Sequence, residues 1–224
     1  MTTARVGVLA LQGDFARHAA SLEALGATAV RVAVPADLEG LDALVLPGGE
    51  STTMLRLMES HGLRAPLEAF VRERPVLGTC AGVILLAREA DRLPAPTLGV
   101  LDVGVGRNAY GRQIDSFEAE VEAAPLGGPF TGVFIRAPRI VRVGSGVEVV
   151  ARHGAEPVGV RQGRIVGLCF HPELTADLRF HRWFLREVAG LAAPAPGARG
   201  PAAGAAPRAM APIAATAASR GGRA

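Results

Sequence analysis

Short apolar runs that stop at glycine, separated by amphipathic stretches, constrain this chain more than any other feature. Residues 6–11 form one such run. A stretch with Phe15, Ala19, Leu22 and Leu25 at helical spacing follows, and Gly26 stops it. Residues 28–34 and 44–46 continue as strands, the second running into Pro47-Gly48-Gly49. Ser51 has the N-cap chemistry to open a helix carrying Met54, Leu55 and Met58. A further helix over 65–72 precedes a strand at 76–78 that leads to Cys80, and after Gly82 a helix carries Ile84 and Leu85. Alternation of this kind calls for a mostly parallel central sheet with helices on both faces, and such sheets bind ligands beyond the carboxyl ends of their strands.

From residue 97 to 168 the texture changes to β-prone runs at 117–121, 132–136, 140–143, 147–151, 157–161 and 165–170. These antiparallel strands either continue the sheet or form a small one beside it. A helix over 178–188 with Phe180, Trp183, Phe184 and Val188 closes the pattern. The expected fold is a single α/β domain over residues 1–190.

From Leu191 onward alanine, proline and glycine make up 25 of the last 34 residues. Such a segment buries too little apolar surface to offset its ordering entropy, so 191–224 is expected to be a disordered tail. The tail also explains the basic balance. It holds Arg199, Arg208, Arg220 and Arg223 and no acid, leaving 20 basic residues against 21 acids before it. With a near-neutral body and no basic stripe interleaved with aromatics, no nucleic-acid partner is expected. No apolar run approaches the roughly 18 residues of a membrane span, and the run at 6–11 is too short for a secretory signal. Two cysteines make no disulfide framework and suit a reducing compartment, so a cytoplasmic protein is expected. The chain contains no lysine, which excludes lysine catalysis. It has no Cys-x-x-Cys and its five histidines are scattered, so no metal site is expected.

The chemistry centres on Gly78-Thr79-Cys80-Ala81-Gly82. A strand-to-helix turn that presents a nucleophile needs small residues two positions to either side, and a helix N-terminus favours a thiolate. The alternative is a buried, unreactive cysteine. A nucleophilic cysteine needs a base. His18, His61, His153 and His181 read as surface residues, whereas His171 follows an apolar strand and precedes Pro172-Glu173. In an extended segment Glu173 shares a side with His171 and reaches the imidazole nitrogen turned away from the thiol, giving a Cys-His-acid triad. Leu46-Pro47-Gly48-Gly49-Glu50-Ser51, after one strand and before a helix, supplies bare N–H groups for an oxyanion. Cys169 lacks a glycine elbow and reads as packing.

GTCAG, PGGES and HPE together resemble the class I, triad-type glutamine amidotransferases, whose fold is flavodoxin-like. LALQGDFARH, RNAYGRQIDSFEA, FTGVFIRAP and FHPELT narrow the resemblance to the glutaminase subunits of the heteromeric pyridoxal 5′-phosphate synthase, over roughly residues 5–188. The resemblance implies L-glutamine as substrate, Cys80 as nucleophile, His171 as base and Glu173 as its partner. It implies Gly49 and Ala81 as oxyanion donors, and Gly49, Glu50, Ser51, Arg107, Ile135 and Arg136 as glutamine-binding positions. Which of Arg107 and Arg136 touches the α-carboxylate stays open. Gln12 and Gly13 fall where the family has a loop that responds to its partner. That partner would be a (β/α)₈-barrel synthase subunit in a large hetero-oligomer, with no cofactor on this chain. The rival readings are a glutaminase serving another acceptor and a non-catalytic docking module.

Overall fold

The structure, a computed structural model, describes residues 3–107 and 116–193. The expected tail from Pro194 onward and the segment around Ala109 and Tyr110 lie outside the described residues.

The first half alternates as its apolar runs require. β1 (Arg5–Leu9), α1 (Phe15–Ala24), β2 (Thr28–Val32), β3 (Ala43–Leu46), α2 (Ser51–Ser60), α3 (Arg64–Glu73), β4 (Val76–Thr79) and α4 (Ala81–Leu86) follow in order. β3 and β4 are buried along their whole length, as strands sandwiched between helices must be. Gly26 takes φ +77 beyond the end of α1, a left-handed conformation that glycine adopts without strain.

Two short strands fall outside the β-prone runs read from the sequence, β5 (Ala87–Ala90) and β6 (Leu101–Gly106). β5 reads Ala-Arg-Glu-Ala, with no β-branched side chain, whereas β6 has the alternation of a strand in its buried Leu101, Val103 and Val105, masked by the glycines between and after them. β7 (Ser116–Ala123), β8 (Gly128–Ile135), β9 (Arg139–Val143), β10 (Glu148–His153), β11 (Glu156–Gln162) and β12 (Ile165–Leu168) complete the set.

Both options for the antiparallel strands are realised. Among the described residues one sheet of nine strands has the order β2-β1-β3-β4-β12-β11-β10-β7-β8, and β5-β6-β9 form a second of three. In the large sheet the pairs from β2 through β12 are parallel and those from β12 through β8 antiparallel. The parallel half is the 2-1-3-4-5 order of flavodoxin-like folds, with β12 as fifth strand. In that order the chain switches direction at β1/β3, where ligands bind.

α4 packs on β3, β4 and β12, and α1 on β1 and β2. Under the antiparallel half Phe130, Phe134, Phe170 and Phe180 pack together with ring centroids 4.8–5.8 Å apart, each fully buried. Burial of each such ring contributes about 1.5–3 kcal/mol. α5 (Arg179–Trp183) closes the fold and widens into a π-helical turn over Phe184–Val188, so the predicted last helix is present but not uniform. Among the described residues no helix is long and apolar enough to cross a membrane.

Candidate active site

β4 ends at Thr79, and Cys80 turns sharply into α4 with φ 48 and ψ −105. Such an angle is rare for a residue with a Cβ and strains the backbone. Both flanking glycines are needed sterically. A Cβ on Gly78 would lie 2.7 Å from the Gly82 carbonyl carbon, and one on Gly82 would lie 2.1 Å from the Leu46 carbonyl oxygen. The elbow therefore lets α4 sit close on β3 and β4 while holding the sulfur at the rim of the sheet.

The parallel ladder between β4 and β12 pairs Leu168 with Thr79, so the residues that follow each strand emerge side by side. The Cys80 N–H donates to the Leu168 carbonyl at 2.8 Å, and the His171 N–H to the Val133 carbonyl at 2.9 Å. His171-Pro172-Glu173 is not extended as the sequence suggested. His171 caps a single 3₁₀ turn over Pro172–Leu174, because proline at the first position of a helical turn loses no needed N–H. Within that turn the Glu173 carboxylate folds back and accepts from His171 Nδ1 at 2.7 Å.

A cleft of about 420 Å³ opens over these residues, within the range of small-molecule sites, roughly 300–1,000 Å³. Cys80 and His171 form part of its wall, with Gln12 and Gly13 after β1 and Gly48 through Ser51 after β3. Arg107, Ile135 and Arg136 line the opposite part. Ala81 opens α4 just behind the sulfur, and Glu173 lies beneath His171, buried. Gly48 presses closest on the triad: a Cβ there would lie 2.3 Å from His171 Cε1 and 3.2 Å from Cys80 Cβ. Arg136, like Cys80, holds a positive φ, 41, so two strained residues face one cleft.

Polar contacts set the edges of the cleft. The N-cap of α2 is Glu50 and not Ser51: its carboxylate accepts from the N–H groups of Thr52 and Thr53 at 3.1 and 2.7 Å. Burial works against the Glu50 charge, but those amides hold its carboxyl below the ordinary range. Arg107 donates to the same carboxylate at 3.3 Å, to Thr52 Oγ1 at 3.2 Å and to the Arg92 carbonyl at 2.6 Å. Arg136 makes no hydrogen bond or ion pair among the described residues and is exposed. The Gln12 side-chain oxygen accepts the Glu50 N–H at 2.7 Å, tying the loop after β1 to the glycine turn. The Cys80 thiol points at the Ile135 carbonyl, 3.8 Å away.

Two histidines that read as surface residues are instead fully buried. His18 and His181 each have 0% exposure. Their ring nitrogens meet at 3.0 Å, and His18 Nε2 lies 3.2 Å from Glu173 Oε2 and 3.1 Å from Thr79 Oγ1. The missed signal is periodicity: His18 shares the inner face of α1 with Leu22 and Leu25, and His181 is spaced likewise from Leu185 and Val188. His61 is exposed and His153 half-buried, nearer the surface as expected. Cys169 is wholly buried, and burial pushes its thiol pKa up, in keeping with packing.

Burial disfavours a charged His171, yet the Cys80 sulfur and the Glu173 carboxylate outweigh it and raise its pKa to about 10. Glu173 is also buried, but the facing imidazoles of His18 and His171 hold its carboxyl well below the usual range. Burial drives His181 down to about 3. The consequences for stability have definite signs. His171 contributes stability that is complete below its ordinary 6.5 and is lost as pH rises to about 10. His181 makes the fold lose stability as pH falls from 6.5 towards 3, and Glu173 adds to that loss below its ordinary 4.5. Urea midpoints measured across pH should therefore peak near 6.5 and decline on both sides; a flat profile would contradict this account of the buried cluster.

The profile of the SNO glutamine amidotransferase family matches residues 8–190. The pyridoxal 5′-phosphate synthase subunit PdxT of Thermus thermophilus is 55% identical over 189 residues, covering 83% of this chain and 98% of its own. Its namesake from Geobacillus kaustophilus is 51% identical over 185 residues, covering 82% of this chain and 94% of the relative. A crystal structure described as a glutamine amidotransferase superposes with a TM-score of 0.78 at 51% identity, over 83% of this chain and 99% of that one. PurLQS from Thermotoga maritima, 17% identical, reaches 0.62 over 83% of this chain and 99% of its own, a likeness of fold alone.

Proposed function

The chain belongs to the SNO glutamine amidotransferase family, and from that membership and the geometry of the cleft we propose that it is the glutaminase subunit of a pyridoxal 5′-phosphate synthase. It hydrolyses L-glutamine to L-glutamate and ammonia, and the ammonia passes to a (β/α)₈-barrel synthase subunit within a hetero-oligomer. The observation that carries the chemistry is the placement of His171, hydrogen-bonded through Nδ1 to buried Glu173, with Nε2 left without a hydrogen-bond partner among the described residues, in the same glycine-walled cleft as Cys80.

In this mechanism His171 Nε2 holds the proton taken from the Cys80 thiol, its charged form favoured by the sulfur and by Glu173, while the sulfur attacks the side-chain amide carbon of glutamine. The tetrahedral oxyanion is met by backbone N–H groups at Gly49 and Ala81. His171 returns the proton to the leaving nitrogen, ammonia departs and a γ-glutamyl thioester remains. Water, deprotonated by His171, then attacks the thioester, and glutamate leaves as the proton returns to sulfur. Glu173 keeps Nδ1 protonated throughout, so Nε2 is the atom that exchanges a proton with the sulfur, the leaving nitrogen and the water.

The substrate's α-carboxylate pairs with Arg136, the guanidinium without a protein partner among the described residues, since Arg107 is already engaged by Glu50. The Glu50 carboxylate, half exposed at the cleft, answers the α-ammonium. The loop at Gln12 and Gly13, bonded to the glycine turn, transmits docking of the synthase to the oxyanion donors. The direct test is ammonia release from L-glutamine by the purified chain, with and without the synthase, before and after iodoacetamide. Release should rise when the synthase is added and vanish on alkylation, because Cys169 is sealed in the core and only Cys80 borders the cleft. Hydrolysis that survives alkylation of Cys80 would defeat the reading.

A further inference from the structure

We propose that His18 is a positioning residue for this hydrolysis: its Nε2–H holds the second oxygen of Glu173 while His171 holds the first, and His181 in turn fixes His18. The inference rests on the Cys80-His171-Glu173 reading above.

The Glu173 carboxylate is buried, and its two oxygens have different surroundings. Oε1 accepts from His171 Nδ1 at 2.7 Å. Oε2 has no well-aligned hydrogen bond among the described residues; the polar group within reach of it is His18 Nε2, at 3.2 Å, an ion-pair distance that a small rotation of the ring turns into a hydrogen bond. The last torsion of a glutamate is soft, so a carboxylate held at one oxygen swivels out of plane with the imidazole it must orient. A donor at each oxygen removes that freedom. His18 comes from α1 and His171 from the segment after β12, so the carboxylate is clamped between separate elements.

The hydrogen-bonding partners also dictate where the ring protons sit. His18 Nε2 faces two oxygens, Glu173 Oε2 at 3.2 Å and Thr79 Oγ1 at 3.1 Å, so it carries the proton and shares it between them. Thr79 immediately precedes the nucleophile, so one ring touches both the acid of the triad and the strand end that presents the sulfur. His18 Nδ1 meets His181 Nε2 at 3.0 Å, whereas His181 Nδ1 is buried with no partner among the described residues. A bare ring nitrogen is tolerated there more readily than an orphaned N–H, so His181 donates from Nε2 and His18 accepts on Nδ1. The line His181, His18, Glu173, His171, Cys80 then has a consistent set of donors and acceptors.

Three measurements test this. With L-glutamine and the synthase subunit present, His18→Leu should lower kcat roughly ten- to a hundred-fold, the worth of one hydrogen bond to a buried charge. KM should stay within about two-fold, because His18 lies outside the cleft that receives glutamine. His18→Gln, whose amide nitrogen can occupy the Nε2 position, should recover most of the lost kcat. In the unmutated chain, histidine ¹⁵N shifts should show His18 protonated at Nε2, a readout that needs no variant to fold and no activity. A folded His18→Leu with kcat within two-fold of the parent overturns the proposal. So does equal loss in His18→Leu and His18→Gln, or a His18 whose Nε2 is bare. Hydrolysis retained by Cys80→Ala would instead remove the parent reading, whereas an inactive Cys80→Ala beside an unaffected His18→Leu removes this inference alone.

Discussion

Cys80→Ala abolishes ammonia release from glutamine, by at least about a thousand-fold, the scale on which nucleophile deletions act in triad enzymes. Nothing nearby can replace the sulfur. Cys169 is sealed in the core, and Ser51, the hydroxyl that lines the cleft, starts α2 and lacks the strained elbow. The substitution removes a side chain that is 7% exposed and keeps a Cβ at φ 48, so the backbone stays as strained as before. The fold should survive, with the thermal midpoint close to that of the parent and binding to the synthase retained. Ammonia release should be followed alongside co-elution with the synthase. An alanine variant that still hydrolyses glutamine would show that the elbow serves another purpose, and one that cannot bind the synthase would show that it has a structural task.

Gly82→Ala should be as damaging, by a different route. The added methyl would lie 2.1 Å from the Leu46 carbonyl oxygen, and the clash is with main chain, so no rotamer relieves it. α4 must move away from β3 or the variant does not fold. Overpacking of this kind costs about 3 kcal/mol or more, which for a domain of this size lowers the thermal midpoint by roughly 6–12 °C. Any retreat of α4 also shifts Cys80, because the elbow is the first turn of that helix, so glutaminase activity should fall with stability. Gly163→Ala is the comparison: its φ is +58 but a Cβ would meet nothing within 4 Å, so the cost is only conformational, about 1 kcal/mol. Calorimetry on the two variants separates crowding from backbone strain. Equal midpoints would refute the claim that Gly82 is there for helix-to-strand contact.

What the sequence reveals on its own follows from how local each signal is. The Cys80 elbow is legible because glycines at 78 and 82 report a steric demand within five residues. The parallel strands are legible because full burial writes itself as an unbroken apolar run. Glu50 escapes notice as a cap because the favoured N-cap side chains, Ser, Thr, Asp and Asn, are shorter, although its carboxylate reaches the same N–H groups. The segment at His171 turns instead of extending because Pro172 suits the start of a 3₁₀ turn. His18 and His181 mislead because polarity alone places a histidine at the surface. Each sits on an apolar helical face, but the partner that makes its burial tolerable lies 163 residues away. No local pattern records such a pairing.

The position of β12 in the sheet has a consequence for how the protein comes into being. Among the described residues it is the last strand, yet it lies in the interior of the nine, between β4 and β11. Until it inserts, the parallel and antiparallel halves share no backbone pairing, and each presents an unpaired edge to water or to a neighbouring molecule. The base and acid of the site arrive on the segment immediately after this strand. Ribosome-bound intermediates that end before it can therefore collapse but cannot consume glutamine, and joining the halves is the step in folding where a chaperone would matter most.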